Sequence, residues 1–338
     1  MLVELLEKVA NGENLSRQEM AQVVGLLIDE QCPEPQIAGL LIGLRVKGET
    51  VEELVGAATA LKSRAVPLPL TLQPMLDTAG TGGDRSGSLN LSTAAALVAA
   101  GAGVTVAKHG NRAASSQCGS ADVLEALGIP VDRPPEETAR LIAEIGIGFL
   151  FAPLYHPATR AVVALRRTLA VRTLFNLLGP LTNPAGVRAQ LVGVFHPSKT
   201  RIMGEALQAM GVARALVVSS DAGLDEVSPL GTTTVVDLRD GKVTQYQVSP
   251  RDFGLEETSL DSIKGGTPDI NAAALKAILS GDKHPGRNAV LLNAAAALVA
   301  AGRAENFRDG AELAAKTIDG GGALAKLEAL RVVRKVEA

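Results

Sequence analysis

Residues 77–128, DTAGTGGDRSGSLNLSTAAALVAAGAGVTVAKHGNRAASSQCGSADVLEALG, decide the fold. They read as a strand, a Gly-rich turn, a buried helix, a strand, a basic loop and a second capped helix, with turn residues at each junction. In Ala79-Gly80-Thr81-Gly82-Gly83-Asp84 three glycines fall within four positions, so the backbone can turn sharply and bring its N–H groups close to a ligand. Asn90-Leu91-Ser92-Thr93 then opens an apolar helix, whose hydroxyls and unpaired N–H groups point at the same space. The second loop, Lys108 to Ser116, adds two fixed cations and further hydroxyls. A ligand with more than one phosphate group suits this pair of loops.

Two better-known phosphate motifs are excluded. Gly83 is followed by Asp84 and Arg85, so there is no GxxxxGK[ST], and Gly80, Gly82 and Gly83 do not make GxGxxG. Ordinary turns account for one Gly-rich loop as well as a ligand does, but less well for two flanking one buried helix. The chain has 338 residues, enough for one large or two smaller domains, and 46% hydrophobic content with 2% aromatic implies an aliphatic, alanine-rich core. A net charge of −3 gives no overall basic character for nucleic acid. Cys32 and Cys118 lack metal or disulfide spacing, which points to reduced thiols in the cytoplasm. The N-terminus has no signal-peptide pattern and no apolar run is long enough to cross a membrane, so a soluble chain is expected.

The first 66 residues read as four short helices, two of them opening on capping boxes, Ser16 to Glu19 and Thr50 to Glu53, with Gly48 as a stop. Such helices cannot make a large core alone and must pack on the rest of the chain or a second subunit. Val66-Pro67-Leu68-Pro69 marks a boundary. Beyond it, strand-like runs at 103–107, 148–151, 190–195, 215–219 and 232–238 alternate with helical stretches. The expected fold class is α/β, a small helical domain plus a larger domain with a mostly parallel central sheet flanked by helices. AAALVAAG, at 94–101 and 295–302, reflects a shared need for small residues in buried helices and not a repeat. The stretch 156–184 reads as helical with a cationic face and a closing Gly-Pro turn, Asp240-Gly241 as a hairpin turn, 320–322 as a loop and 331–338 as a frayed end. Asp225-Glu226, after a predicted strand, could share Mg²⁺ with phosphate oxygens.

TAGTGGD, NLST, KHGNRAASS and GSADVLEALG resemble the signature of the anthranilate phosphoribosyltransferase family, and the resemblance runs over essentially the whole chain. It implies Mg²⁺-dependent transfer of phosphoribosyl from 5-phosphoribosyl 1-diphosphate to the amine of anthranilate, with release of diphosphate, in tryptophan biosynthesis. It places 1–70 in a helical domain, with about 160–185 packing into it, and 71–159 and 186–338 in the donor-binding domain. Carried over by motif, Gly80, Gly83, Asp84, Ser88, Asn90, Ser92, Thr93, Lys108, Asn111, Arg112, Ser116 and Ser120 contact the donor. Gly80, Asn111 and Arg166 position anthranilate, and His109, His156 and Gly179-Pro180 line its channel. Ser92, Asp225 and Glu226 hold magnesium, two ions with the diphosphate donor. No general base is assigned, His109 being the one candidate, because an aromatic amine is already neutral at pH 7.

The resemblance further implies a homodimer through the N-terminal helices, with no nucleic-acid or membrane partner. Arg85 and Ala170 stand where the family usually has glycine, and Ser88 where threonine is frequent. Two alternatives stay open at this point. A pyrimidine nucleoside phosphorylase shares KHGNR-like and GSAD-like segments, but is longer and lacks the Asp225-Glu226 pair; a degenerate relative binding nucleic acid would have lost those acids.

Overall fold

The computed structural model describes every residue except Gln73, Ala114, Ser115 and 333–338, and every side chain except those of these residues and of Arg160, Ala161, Arg166 and Arg167. The N-terminal quarter is four helices, α1 (Leu2–Ala10), α2 (Arg17–Ile28), α3 (Glu34–Lys47) and α4 (Val51–Ser63). Both expected capping boxes form: Ser16 and Thr50 accept from the backbone N–H of Glu19 and Glu53, whose carboxylates accept from the cap N–H groups in return. Gly48 ends α3 at φ 91°, a conformation that a side chain would oppose. Gly43 lets α1 approach closely, since a Cβ there would lie 2.7 Å from Val9.

The strands are β1 (Leu76–Asp77), β2 (Val106–Gly110), β3 (Ile147–Phe151), β4 (Ala189–Gly193), β5 (Arg214–Ser220), β6 (Thr233–Arg239) and β7 (Lys242–Val248). They form one sheet in the order β3-β2-β1-β4-β5-β6-β7, parallel from β3 to β5 and antiparallel over the last two pairs. The parallel part is joined through α5 (Leu91–Gly101), α6 (Ser120–Ala126), α7 (Pro135–Ile145), α8 (Ala152–Tyr155), α9 (Arg160–Leu169) and α10 (Thr200–Ala209). After the sheet come α11 (Pro268–Leu279), α12 (Arg287–Ala300), α13 (Phe307–Asp319) and α14 (Gly322–Arg331).

Alternating strand residues feed two cores, as a pleat of period two requires. Leu216 and Val218 face the core shared by α5, α6 and α11 to α14, while Ala215 and Val217 face a second core shared with α10 and the four N-terminal helices. The helical bundle is therefore continuous with one face of the sheet. Helix α9 and the following turn lean on α2 and α3. In the first core, α5 is buried almost all round, and the two AAALVAAG segments meet because α5 packs on α12. Trimming Leu97 there to alanine would cost about 2–5 kcal/mol.

Several local expectations change. Lys108, His109 and Gly110 belong to β2 and not to a loop, because Gly103 at φ 89° ends α5 and delays the strand until Val106. Only Arg160–Leu169 of the stretch 156–184 is α-helix; prolines and Gly179 break the remainder into short 3₁₀ turns. Gly322 opens α14 and Arg331 closes it, paired with Glu328, so Gly322 of the expected loop and Arg331 of the expected frayed end belong to helix, and the rest of that end, 333–338, lies outside the described residues. The hairpin turn does form at Asp240-Gly241, both at positive φ, as a tight two-residue connection demands.

Candidate functional site

The site is assembled at the carboxyl ends of the parallel strands, where open α/β sheets bind ligands. Asp77 ends β1 fully buried, and its carboxylate accepts from the His109 N–H (3.1 Å) and the Asn183 amide (2.7 Å). Burial still pushes its pKa up, against the pull of Lys108 and these hydrogen bonds. The Gly-rich loop that follows is pinned from below. Thr81 donates its N–H to the Gly193 carbonyl (2.8 Å), and Gly82 donates to Asp225 Oδ2 (2.8 Å). That close approach needs Gly193, where a Cβ would sit 1.6 Å from the Asp225 carbonyl oxygen, and Gly80, where it would be 3.1 Å from Asp225 Oδ2.

Sequence positions separated by more than a hundred residues thus meet: Gly80, Gly82, Asp84, Ser92, Lys108, Asp225 and Glu226. Lys108 reaches Thr78 Oγ1 (3.2 Å) and Ser92 Oγ (3.4 Å) from β2, and Glu226 accepts from the Ser92 backbone. Burial, then the charge of Asp84, pushes Asp225 up to about 7. Burial, then Asp225, pushes Glu226 upward as well, against Lys108. Lys108 is itself drawn below the usual ammonium range by burial.

This donor set fits Mg²⁺. Three carboxyl groups oppose one ammonium, and Asp84 Oδ2 is buried with no partner among the described residues. Among those residues no three acid, histidine or cysteine side chains form a complete metal cage. Mg²⁺ does not need one, since it takes one or two carboxylates and completes its shell with water and phosphate oxygens.

A second cluster lies beside the first. The His109 and His156 rings meet edge to face at 5.2 Å. One nitrogen of each ring donates to a backbone carbonyl, of Gly179 for His109 and of Thr182 for His156, while each Nε2 is buried without a partner among the described residues. Burial, first of all, lowers both pKa values to about 4. Both rings are therefore neutral at pH 7. Pro180 is held against this wall by Gln190, whose amide donates to its carbonyl (2.8 Å).

The remaining candidates are placed less uniformly. Asn111 and Ser120 exchange hydrogen bonds of 3.2 Å, and Ser88 lies in a bridge to Lys264. The Asn90 amide is occupied by Cys118 and Asn271. Ser116 is exposed, whereas Thr93 is buried with its hydroxyl unpaired among the described residues. Arg112 turns onto Glu125 (2.8 Å) and Asp122 (3.2 Å), so a contact with the donor requires that it leave them. The Arg166 side chain lies outside the described residues.

Sequence reading missed Asp77 and Asn183 as organisers, and it missed Arg172. The Arg172 guanidinium stacks on Phe195 (4.3 Å to the ring centre) and donates to the Gly83 carbonyl, while its own carbonyl accepts from Arg45 of α3 (3.0 Å). In a trans peptide C=O and N–H point oppositely, so Arg172 turns the Asp84 N–H away from itself. One arginine among four within thirteen residues carries no local sign of this. Gly193 did carry one, as a glycine at the end of an apolar strand marks a close approach of backbone.

A helical bundle continuous with an α/β unit, with an anion loop facing a half-buried acid pair, is the arrangement of a glycosyl-transferring enzyme. Residues 3–65 match the helical bundle domain, and 72–324 the a/b domain, of the glycosyl transferase family. Within that class the chain belongs to the anthranilate phosphoribosyltransferase family. It is 49% identical to the anthranilate phosphoribosyltransferase of Symbiobacterium thermophilum over 97% of this chain and 96% of the other. Its fold superposes on that enzyme from Thermus thermophilus with a TM-score of 0.91 at 45% identity, covering 97% and 99% of the two chains. The Saccharomyces cerevisiae enzyme, solved in complex with PRPP and Mg, gives 0.89 at 29% identity, covering 97% and 96%.

Proposed function

We propose that the chain transfers the phosphoribosyl group of 5-phosphoribosyl 1-diphosphate to anthranilate, yielding N-(5-phosphoribosyl)anthranilate and diphosphate for tryptophan biosynthesis. The observation that carries the reading is the meeting of Gly80, Gly82 and Asp84 with Asp225 and Glu226 under one loop. The loop N–H groups and Lys108 bind the phosphates, and Ser92, Asp225 and Glu226 hold Mg²⁺, two ions with the donor. Bound magnesium would offset the charge that gathers on departing diphosphate. Gly83, Ser88, Asn90, Thr93, Asn111, Arg112, Ser116 and Ser120 complete the donor contacts.

Gly80, Asn111 and Arg166 orient anthranilate, with the Arg166 guanidinium forking its carboxylate, beside His109, His156, Gly179 and Pro180. The amine lone pair forms the bond to C1′ as the C1′–O bond breaks, its electrons leaving on diphosphate, and a proton departs from nitrogen. With a pKa near 4, His109 is a weak base at pH 7 but offers a lone pair at Nε2 that can accept from the amine. Positioning and charge stabilisation supply the rate.

The helical unit is read as 1–70 with about 160–185, and the donor-binding unit as 71–159 with 186–338, in a cytoplasmic enzyme. Val3, Ile42 and Val46 on α1 and α3 are exposed, Val46 at 83%, which supports a homodimer through these helices. Sedimentation velocity should give twice the chain mass, and a monomer at working concentration would remove the dimer. The reaction is tested by loss of anthranilate fluorescence with donor, with and without Mg²⁺. Arg166→Ala should raise the KM for anthranilate about tenfold or more while the donor KM changes little. Asp225→Ala with Glu226→Ala should lower kcat/KM for the donor about a hundredfold or more. Wild-type values for both variants would overturn the assignment.

A further inference from the structure

The far end of the sheet carries a second cavity. Its volume is about 270 Å³, and it opens near the amino ends of β4 and β5, between α4 and the end of α10. Lys62 and Arg188 both line it, and among the described residues no carboxylate does. Neither cation makes a side-chain hydrogen bond or ion pair among the described residues, and burial lowers the Lys62 ammonium below its ordinary range. Lys62 is half-buried and Arg188 exposed, whereas the buried or half-buried cations Lys47, Lys199 and Arg133 are ion-paired with Glu53, Glu49 and Glu137. The lining also includes aliphatic side chains, among them Val187 and Val212.

We propose that this cavity binds a small organic monocarboxylate with an apolar body, its carboxylate facing Lys62 and Arg188 and its body against the aliphatic side chains. An inorganic anion would use the cations and leave the apolar surface wet; a neutral apolar molecule would leave two cations facing it unpaired. The cavity is separate from the acid pair, which lies past the carboxyl ends of the same strands. It is nonetheless adjacent in structure to the histidine wall, because Asn183 and Gln190, which line it, are the residues that hold Asp77 and Pro180. Lys62 also contributes to lowering the His156 pKa by its charge.

The test is isothermal titration calorimetry of the full chain with 3-phenylpropionate, with inorganic phosphate as a competitor. Wild type should bind the probe, and Arg188→Glu, at an exposed position that leaves the fold intact, should weaken it tenfold or more. Lys62→Met should weaken it similarly, Arg188→Lys should stay within about threefold, and Arg166→Ala should leave it unchanged. Excess phosphate should displace the probe only weakly. The proposal is overturned if wild type does not bind, if phosphate competes with equal affinity, or if Arg166→Ala abolishes binding while Arg188→Glu does not. Because the readout is binding and not turnover, its failure is independent of the assigned reaction.

Discussion

Two acidic centres of the molecule differ in how completely they are satisfied. Glu53 in the helical bundle is fully buried, yet it accepts from the Leu15 N–H (2.9 Å), the Thr50 N–H (2.8 Å) and Lys47 (3.1 Å). Lys47 in turn spends its other donors on Asn14 and the Gly48 carbonyl. Asp225 and Glu226 lie beneath the Gly-rich loop with one ammonium, Lys108, acting on Glu226 and a third carboxyl, Asp84, nearby. The first centre is closed and holds helices together. The second is left with excess negative charge and unfilled bonding capacity, which costs stability and suits a site completed by ligand.

Removing an acid should therefore act in opposite directions at the two centres. Glu53→Ala strands a buried ammonium and two N–H groups, and should destabilise the fold by about 3–5 kcal/mol, read by denaturant unfolding. Asp225→Asn with Glu226→Gln should instead stabilise the ligand-free protein at pH 8, by on the order of 1–2 kcal/mol after allowance for partial exposure.

The sign follows from linkage. Carboxyl groups raised in the folded state contribute stability below the ordinary carboxylate range, and it is lost as pH rises toward 7. His109 and His156, lowered to about 4, contribute stability that is full above about 6.5 and lost as pH falls toward 4. From about pH 4 to 6.5 the two contributions oppose one another, so wild-type stability should change little there and fall as pH rises further, and the amide pair should remove most of that fall. Asp77, also raised, keeps part of that slope.

The smallest effect concerns backbone. Arg85 and Ala170, the two positions where the family resemblance leads one to expect glycine, adopt φ of 61° and 52°. Both keep the left-handed conformation that glycine enters freely and other residues adopt at a cost. Ala170→Gly, outside the site, should stabilise the protein by about 0.5–1 kcal/mol, the strain relieved exceeding the entropy that glycine adds to the unfolded chain. A loss of stability would show that surrounding contacts favour alanine.

The α/β class, the bundle and its caps were legible because they rest on local signals: capping boxes at Ser16 and Thr50, aliphatic strand runs and a two-residue turn. The loop chemistry of 79–84 was legible for the same reason. Lys108 was misplaced in a loop because an apolar run gives a strand's presence better than its end. The turns after Leu169 were read as helix because the cationic periodicity of α9 has no marked stop, Ala170 standing where glycine would have signalled one. Arg172 on Gly83 and Asn183 on Asp77 were invisible, since each joins positions about ninety or more residues apart through geometry that only the folded chain supplies.

The most direct measurement of the account is thermal unfolding at pH 8, with and without Mg²⁺ plus 5-phosphoribosyl 1-diphosphate, for wild type and for Asp225→Asn with Glu226→Gln. Wild type should start lower and gain several degrees with both ligands together, while the variant should start higher and gain little. Equal gains in the two proteins would contradict a donor and metal site built on this acid pair.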